Sequence, residues 1–247
     1  MKIIAIIPSR YNSSRFRGKA LADICGHPMV WWVYQQVMKV TNIDGVYVAT
    51  DSQEIYDVCV DNNMNVIMTS DQHDTPTSRL YEVSTRIEGD KFVFVGGDEP
   101  LINPKAIESV VQLARDKDAF AVNAMTKIKT SPEVVDFTNI KVVTSTDGYL
   151  LYTTRGPLPY PKGGLDFDYY KFVGIGVFSR EALAFYNDTP KSKLERIEEC
   201  DLLRFVDKFK PVHMIEVEVN NISVDTPKDL EIAKIKMKEY LKSQSVL

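Results

Sequence analysis

The sequence predicts an α/β fold, a mostly parallel sheet with helices on both faces and an antiparallel excursion in its second half. Three observations carry this. Short apolar runs alternate with amphipathic helical patterns through residues 2–117, and the connections between them are short, which is the signature of repeated β-α units. Residues 120–178 hold apolar runs with little helical pattern between them. No linker-like stretch parts the two halves, so residues 1–247 read as one domain, with 150–190 as the excursion.

The elements follow in order. Residues 2–7 form an apolar strand that empties into a polar loop. A helix is predicted over 28–40, where Met29, Val30, Val33, Val37 and Val40 share a side. Residues 45–50 read as a second strand closed by Asp51. Asp51 or Ser52 caps the next helix, whose Ile55, Val58 and Cys59 fall at i, i+3, i+4. Strands over 65–69 and 92–95 flank a helix at 78–87, and another amphipathic helix spans 104–117. In the second half, 120–127, 140–144, 150–154 and 172–178 read as strands. Residues 156–168, rich in proline and glycine, read as a loop or flap. A strand over 217–224 then runs into a terminal helix reaching about 241, with Thr226 as N-cap, Pro227 at the first helical position and Asp229 opposing the dipole.

Composition narrows the function. The 247 residues are 44% hydrophobic with a net charge of -4, enough apolar matter for a large core and no basic excess for nucleic acid. Three scattered cysteines without CxxC pairs argue against a disulfide framework or zinc site and fit a reducing cytoplasm. No run of about eighteen apolar residues occurs, and the first strand is too short for a signal peptide. A soluble cytoplasmic protein is expected.

Three segments carry chemistry. The loop after the first strand, Ser9-Arg10-Tyr11-Asn12-Ser13-Ser14-Arg15-Phe16-Arg17-Gly18-Lys19, is dense in cations and hydroxyls. It matches neither GxxxxGK[ST] nor GxGxxG. It does offer Arg10, Lys19 and backbone N–H groups to a triphosphate and to departing pyrophosphate; the plainer alternative is a solvated turn. Gly96-Gly97-Asp98-Glu99-Pro100 follows the 92–95 strand, and its glycines let a ligand approach while Asp98 projects from the strand end to hold Mg²⁺. Ser223-Val224-Asp225-Thr226-Pro227 supplies a second carboxylate, Asp225, unless that residue merely precedes a helix cap. Two such aspartates facing a cationic loop suit phosphoryl-transfer chemistry. His27, His73 and His213 are each read as structural or solvated.

These residues resemble the cytidylyltransferases that activate 3-deoxy-manno-octulosonate (KDO). The likeness runs in order through Ile7-Pro8-Ser9-Arg10-Tyr11, Ser14 to Lys19, Val48-Ala49-Thr50-Asp51, Thr77-Ser78-Arg79-Leu80, Gly97-Asp98-Glu99-Pro100, Arg155-Gly156-Pro157-Leu158-Pro159, Leu194-Glu195-Arg196-Ile197-Glu198 and Val224-Asp225-Thr226-Pro227. The resemblance implies a Rossmann-like nucleotidyltransferase fold, Mg²⁺ dependence, a homodimer built through the excursion, and a CMP-sugar product for polysaccharide biosynthesis. It further implies that Ser9, Arg10, Ser13, Arg15, Lys19, Thr77, Ser78, Arg79 and Gly97 serve the nucleotide, that Asp98 and Asp225 hold the metal, and that Arg155 faces an acidic acceptor.

The departures concentrate on the acceptor. Gly96 stands where such enzymes usually carry glutamine, Phe172 where they carry histidine, and Asp201-Leu202 where they carry Glu-Gln. Ser78 likewise departs from the usual Gly-Thr-Glu-Arg. Lost polar groups would leave acceptor hydroxyls unpaired at about 1–3 kcal/mol each. The expectation is therefore cytidylyl transfer from CTP to KDO or an analogue, with a smaller carboxylate, phosphate or phosphonate as alternative, and with KDO itself a poor acceptor. A metal-dependent glycosyltransferase or a non-catalytic nucleotide-binding protein are the rivals from other classes.

Overall fold

The computed structural model describes residues 1–13, 15–163, 167–219 and 222–244. The elements in order are β1 (Ile3–Ser9), β2 (Asp23–Ile24), β3 (His27–Pro28), α1 (Met29–Val37), β4 (Gly45–Thr50), α2 (Gln53–Asp61), β5 (Val66–Met68), α3 (Pro76–Arg86), β6 (Lys91–Val95) and α4 (Pro104–Asp116). They continue with β7 (Ala121–Lys127), α5 (Ser131–Val135), β8 (Lys141–Thr144), β9 (Leu150–Thr154), β10 (Tyr170–Ser179), α6 (Arg180–Asp188), α7 (Lys193–Glu198), α8 (Leu203–Asp207), β11 (Val212–Glu216) and α9 (Pro227–Gln244).

The main sheet has the order β11-β7-β10-β6-β1-β4-β5, with β8 paired to β10 and β9 to β8. β1 lies between β4 and β6, parallel to both. Chain progression reverses there, and the crevice outside the carboxyl ends of such strands is where open α/β sheets take ligands.

β1 is apolar throughout because both its faces are covered. Ile3, Ala5 and Ile7 pack with α1 and α4 through Val30, Val33, Ile107 and Val110. Ile4 and Ile6 pack on the other face with Leu80 and Val83 of α3, Ala182 and Leu183 of α6, and Phe205 of α8. A third cluster seats α9 against Ile24, Met29 and Trp32 through Leu230, Ala233 and Met237. Side-chain caps start several helices: Ser52, Thr75, Ser179 and Ser192 each accept a backbone N–H.

The antiparallel part differs from expectation. β10 is an interior strand, antiparallel to β6 on one side and β7 on the other; only the β8–β9 hairpin lies off the sheet's main path. The strand predicted over 217–224 also moves. The strand is β11, parallel to β7; Val217 N still donates to Met125 O at 2.8 Å, and β7 itself runs on only to Lys127, too short to pair a strand reaching 224. Residues 222–224 are not strand, and 220–221 lie outside the described residues, as do 164–166 of the predicted flap. The strand-rich reading of this half left helices α5 to α8 unassigned; α6 and α8 pack against the second sheet face through Ala182, Leu183 and Phe205.

Two buried lysines brace this half. Lys141, fully buried, donates from Nζ to the carbonyl oxygens of Asp136 (2.8 Å), Asn139 (2.7 Å) and Arg155 (2.5 Å), and desolvation holds its pKa below the ordinary lysine value. Lys91 donates to Ala119 O at 2.8 Å and pairs with Asp118 at 3.0 Å.

Candidate active site

The loop after β1 is shaped by Tyr11 and Gly18. Gly18 N donates to Tyr11 O at 2.8 Å, and Gly18 adopts a φ of 70°, a conformation that glycine reaches without strain; a Cβ there would lie 3.3 Å from the Tyr11 ring. Arg17 lies over the same ring at 5.3 Å. The turn hands the chain into a single 3-10 turn, Lys19–Leu21, and directs Lys19 inward.

Lys19 Nζ stands 2.8 Å from Asp98 Oδ2 and 3.2 Å from Asp225 Oδ1, and it donates to Val224 O at 3.2 Å. Arg15 Nη2 reaches the same Asp225 oxygen at 3.0 Å. Asp98 comes from the carboxyl end of β6 and Asp225 from the residue before the cap of α9, and Val224 N donates to Asp98 O at 2.8 Å to pin the two segments. Thr226 and Asp229 form a reciprocal cap: Asp229 Oδ2 accepts Thr226 N at 2.8 Å, and Asp229 N donates to Thr226 Oγ1 at 3.3 Å. Burial acts to raise the Asp229 pKa, but hydrogen bonds from Thr226 and from Asp225 N outweigh it and hold the carboxyl below its ordinary range.

Gly97 allows this closeness. A Cβ there would lie 2.7 Å from Pro8 O and 3.0 Å from Ser9 Oγ, so any side chain would push the ends of β1 and β6 apart. A cavity of about 250 Å³ opens over these strand ends, lined by Ser9, Arg10, Ser13, Arg15, Lys19, Gly96, Gly97, Asp98 and Asp225 together with His73, Asp74, Thr75 and Arg79. Ser9 Oγ is buried there without a hydrogen-bond partner. Arg10 is exposed at the rim and, among the described residues, makes no ion pair.

The other candidates separate. Arg79 lines the cavity, yet its guanidinium is tied to Asp51 (2.7 Å) and Thr69 (2.5 Å). Ser78 is drawn into the α3 cap, donating to Thr75 O at 2.8 Å, and does not line the cavity. Thr77 faces the opposite way and donates to Asp201 Oδ2 at 2.9 Å. His73, read from sequence as structural or solvated, does line the cavity while its ring meets Ser78 Oγ and Glu82. His27 stacks on Trp31 at 3.8 Å and His213 on Tyr149 at 4.0 Å, as their structural reading expects.

A second cavity of about 230 Å³ shares Pro76 and Phe94 with the first. It is lined further by Thr77, Asn123, Ile140, Thr153, Phe172, Phe178, Glu199, Cys200, Asp201 and Leu202. Three of the residues read as acceptor-facing, Phe172, Asp201 and Leu202, thus share one wall; Gly96 lines the first cavity instead. Burial pushes the Asp201 carboxyl above its ordinary range. Arg155 lines neither cavity. Its backbone N–H donates to Glu198 Oε2 (2.8 Å), its Nε to Glu198 O (2.9 Å) and its Nη1 to Phe137 O (3.2 Å), which hold it beyond the end of β9.

Sequence reasoning missed a buried network behind both cavities. Arg204 makes a two-point pair with Glu195 at 2.7 and 2.6 Å, and Tyr186 Oη lies 3.1 Å from both Glu195 Oε1 and Thr75 Oγ1. Nothing in the sequence marks Glu195 as buried, since it stands among other charged residues of a short, mostly exposed helix; the only signal is Arg204, a charge in a helix whose neighbours Leu203 and Phe205 are buried.

Comparison with known proteins decides between the readings of this geometry. A family model described as cytidylyltransferase matches residues 4–242. The chain belongs to the cytidylyltransferase family. It is 35% identical over 240 residues to the 3-deoxy-manno-octulosonate cytidylyltransferase of Escherichia coli, covering 97% of this chain and 98% of that one. The same-named protein of Geotalea uraniireducens is 39% identical over 243 residues, 94% of this chain and 97% of its own. A solved CMP:2-keto-3-deoxy-manno-octonic acid synthetase complexed with CTP superposes with a TM-score of 0.93 at 33% identity, covering 97% of this chain and all of that one. A putative glucose-1-phosphate thymidylyltransferase from Bacillus anthracis shares the fold at 15% identity and a TM-score of 0.71 over 94% of each chain. This cytidylyltransferase is a CTP-dependent nucleotidyltransferase, and neither rival class is favoured by its relatives.

Proposed function

We propose that the enzyme transfers the cytidylyl group of CTP to a hydroxyl of a 3-deoxy-ulosonic acid, KDO or an analogue, with release of pyrophosphate. The observation that carries this is the convergence of Lys19, Asp98 and Asp225 at the floor of a cavity whose rim holds Arg10, Ser13 and Arg15. The relatives named for 3-deoxy-manno-octulosonate support the acceptor class.

In this reading the triphosphate lies along the loop after β1. Arg10, Arg15 and Lys19 neutralise the charge that gathers on pyrophosphate as the acceptor oxygen attacks the α-phosphorus in line. Ser9 Oγ donates to the nucleotide and so gains the partner it lacks. Gly97 and the backbone around it admit the phosphates close to the strand ends.

Asp98 and Asp225 fit a divalent cation such as Mg²⁺. They are hard oxygen donors already converging on one positive charge, the Lys19 ammonium. No third His, Cys, Asp or Glu joins them among the described residues, which suits an ion that keeps waters and phosphate oxygens in its shell. When bound, such an ion supplies charge neutralisation and lowers the pKa of the attacking hydroxyl. Asp98 and Asp225 would hold it, which requires Lys19 to turn toward the phosphates.

The second cavity takes the acceptor's tail, with Phe172, Asp201 and Leu202 on its wall. We further propose a homodimer through the excursion, where Leu151, Leu158 and Tyr160 are exposed, in the cytoplasm. A monomer in sedimentation analysis at micromolar concentration would count against the dimer. For the activity, incubation with CTP, Mg²⁺ and a panel of ulosonic acids should give equal amounts of pyrophosphate and a CMP-sugar. Release of neither product with any acid of the panel would overturn the proposal.

A further inference from the structure

The second cavity discriminates among ulosonic acids, an inference that rests on the acceptor class proposed above. Its wall is apolar: Phe94, Ile140, Phe172, Phe178 and Leu202. Phe172 sits where the β10–β7 register breaks, between Phe172 and Gly176, and such irregularities re-aim a side chain. The volume of about 230 Å³ admits roughly seven atoms the size of a water molecule, a short tail rather than a second sugar.

The polar neighbours are mostly committed elsewhere. Thr77 Oγ1 gives its proton to Asp201. Asn123 Nδ2 donates to Ala124 O at 2.8 Å and to Val173 O at 3.1 Å. Cys200 Sγ donates to Glu198 O at 3.3 Å. Two polar groups of the wall remain, the exposed Glu199 carboxylate at the rim and the Thr153 hydroxyl. Thr153 Oγ1, on a residue 1% exposed, faces the Cys200 thiol, a weak partner, and makes no other hydrogen bond. Buried hydroxyls are rarely left so in a folded protein, and the cavity it lines is where a partner would come from.

We infer that the preferred acceptor is a 3-deoxy-ulosonic acid whose tail ends in an alkyl group where KDO carries a hydroxylated carbon. The alkyl end rests against Phe172 and Leu202, and one hydroxyl of the tail pairs with Thr153 Oγ1. A fully hydroxylated tail would turn its terminal hydroxyl onto Phe172 and Leu202, and a buried hydroxyl without a partner costs about tenfold or more in selectivity.

The test compares KDO with 8-deoxy-KDO in CTP-dependent pyrophosphate release. The wild-type enzyme should show a kcat/KM at least about tenfold higher for 8-deoxy-KDO. Phe172→His with Leu202→Gln should reverse the preference, and Leu202→Gln alone should narrow it, while the KM for CTP stays put. Thr153→Val should cost about tenfold in kcat/KM for 8-deoxy-KDO without moving the KM for CTP. Equal or better turnover of KDO by the wild-type enzyme would overturn the inference, a comparison that requires no variant to fold. Turnover of neither acid, with CTP still bound in calorimetry, overturns the ulosonic-acid reading beneath it.

Discussion

The two cavities meet at Pro76 and Phe94 but are built on opposite principles. The first is assembled from remote segments and held by charge: Lys19, Arg15, Asp98 and Asp225 balance one another with no ligand present. The second is assembled by packing, with aromatic and aliphatic side chains around a few satisfied polar groups. In the proposed function, charge fixes what the donor end accepts, a polyanion with a cation. Shape and missing partners fix what the acceptor end refuses.

The sharpest way to break this contrast is at the carboxylates. Asp98→Ala and Asp225→Ala should each lower CTP-dependent pyrophosphate release by about a hundred- to a thousandfold, with circular dichroism unchanged. Near-normal turnover in either would remove the charge-held picture.

Lys19 offers the next test. Its ammonium occupies the position between the carboxylates, so a divalent ion must displace it, and only the triphosphate offers it another anionic partner. Manganese titration followed by electron paramagnetic resonance should show weak binding to the free enzyme and at least about tenfold tighter binding with CTP, the reciprocal coupling that linkage demands. Lys19→Met should bind the ion without nucleotide while losing turnover. An unchanged metal affinity in that variant would place Lys19 outside the coupling.

On the packed side, Lys141→Met should destabilise the fold by about 3 kcal/mol in urea unfolding, because three buried carbonyls lose a charged donor together. Its effect on the KM for CTP should be small. A comparable loss in CTP binding would show that the two ends are less separable than their construction suggests.

The smallest effect concerns Asp201. Its folded-state pKa is raised by burial, so between the ordinary carboxyl pKa and the raised value the folded chain holds a proton that the unfolded chain has lost. Stability thus falls as pH rises through that window. Asp201→Asn keeps an acceptor for Thr77 and removes the titration. Urea midpoints measured across that window should decline in the wild-type protein and decline less in the variant.

The legibility of the sequence follows the same division. The donor end was readable because its chemistry demands particular residue types beside strand ends: an arginine-rich loop after one apolar run, Gly-Gly-Asp after another, Asp-Thr-Pro before a capped helix. β1, β4, β5 and β6 and the helices between them were readable because β1 is buried on both faces and α2 to α4 carry clear caps, whereas the two-residue strands β2 and β3 left no pattern. Strand β10 was located, but its place inside the sheet depends on nonlocal pairing with β6 and β7 that no local pattern encodes. The 217–224 strand failed for a related reason: the apolar pattern continues past Glu216, but the partner strand ends. Ser78 and Arg79 look available in sequence, and only the fold shows one absorbed by a helix cap and the other by Asp51 and Thr69. The Glu195–Arg204–Tyr186 network is invisible because buried charge is recognised by its partner, which lies elsewhere in the chain.

One contact has a consequence for the timing of competence. Lys19 and Asp225 are 206 positions apart, and Asp98 meets its counterpart through the shared Lys19 ammonium and the Val224–Asp98 backbone bond. A chain emerging from the ribosome completes its loop, its first strands and Asp98 long before Asp225 exists. The nascent enzyme therefore displays a polyanion-binding loop with half of its acidic floor. In the proposed reading it acquires the means to split CTP only when the segment leading into α9 has been made and has docked.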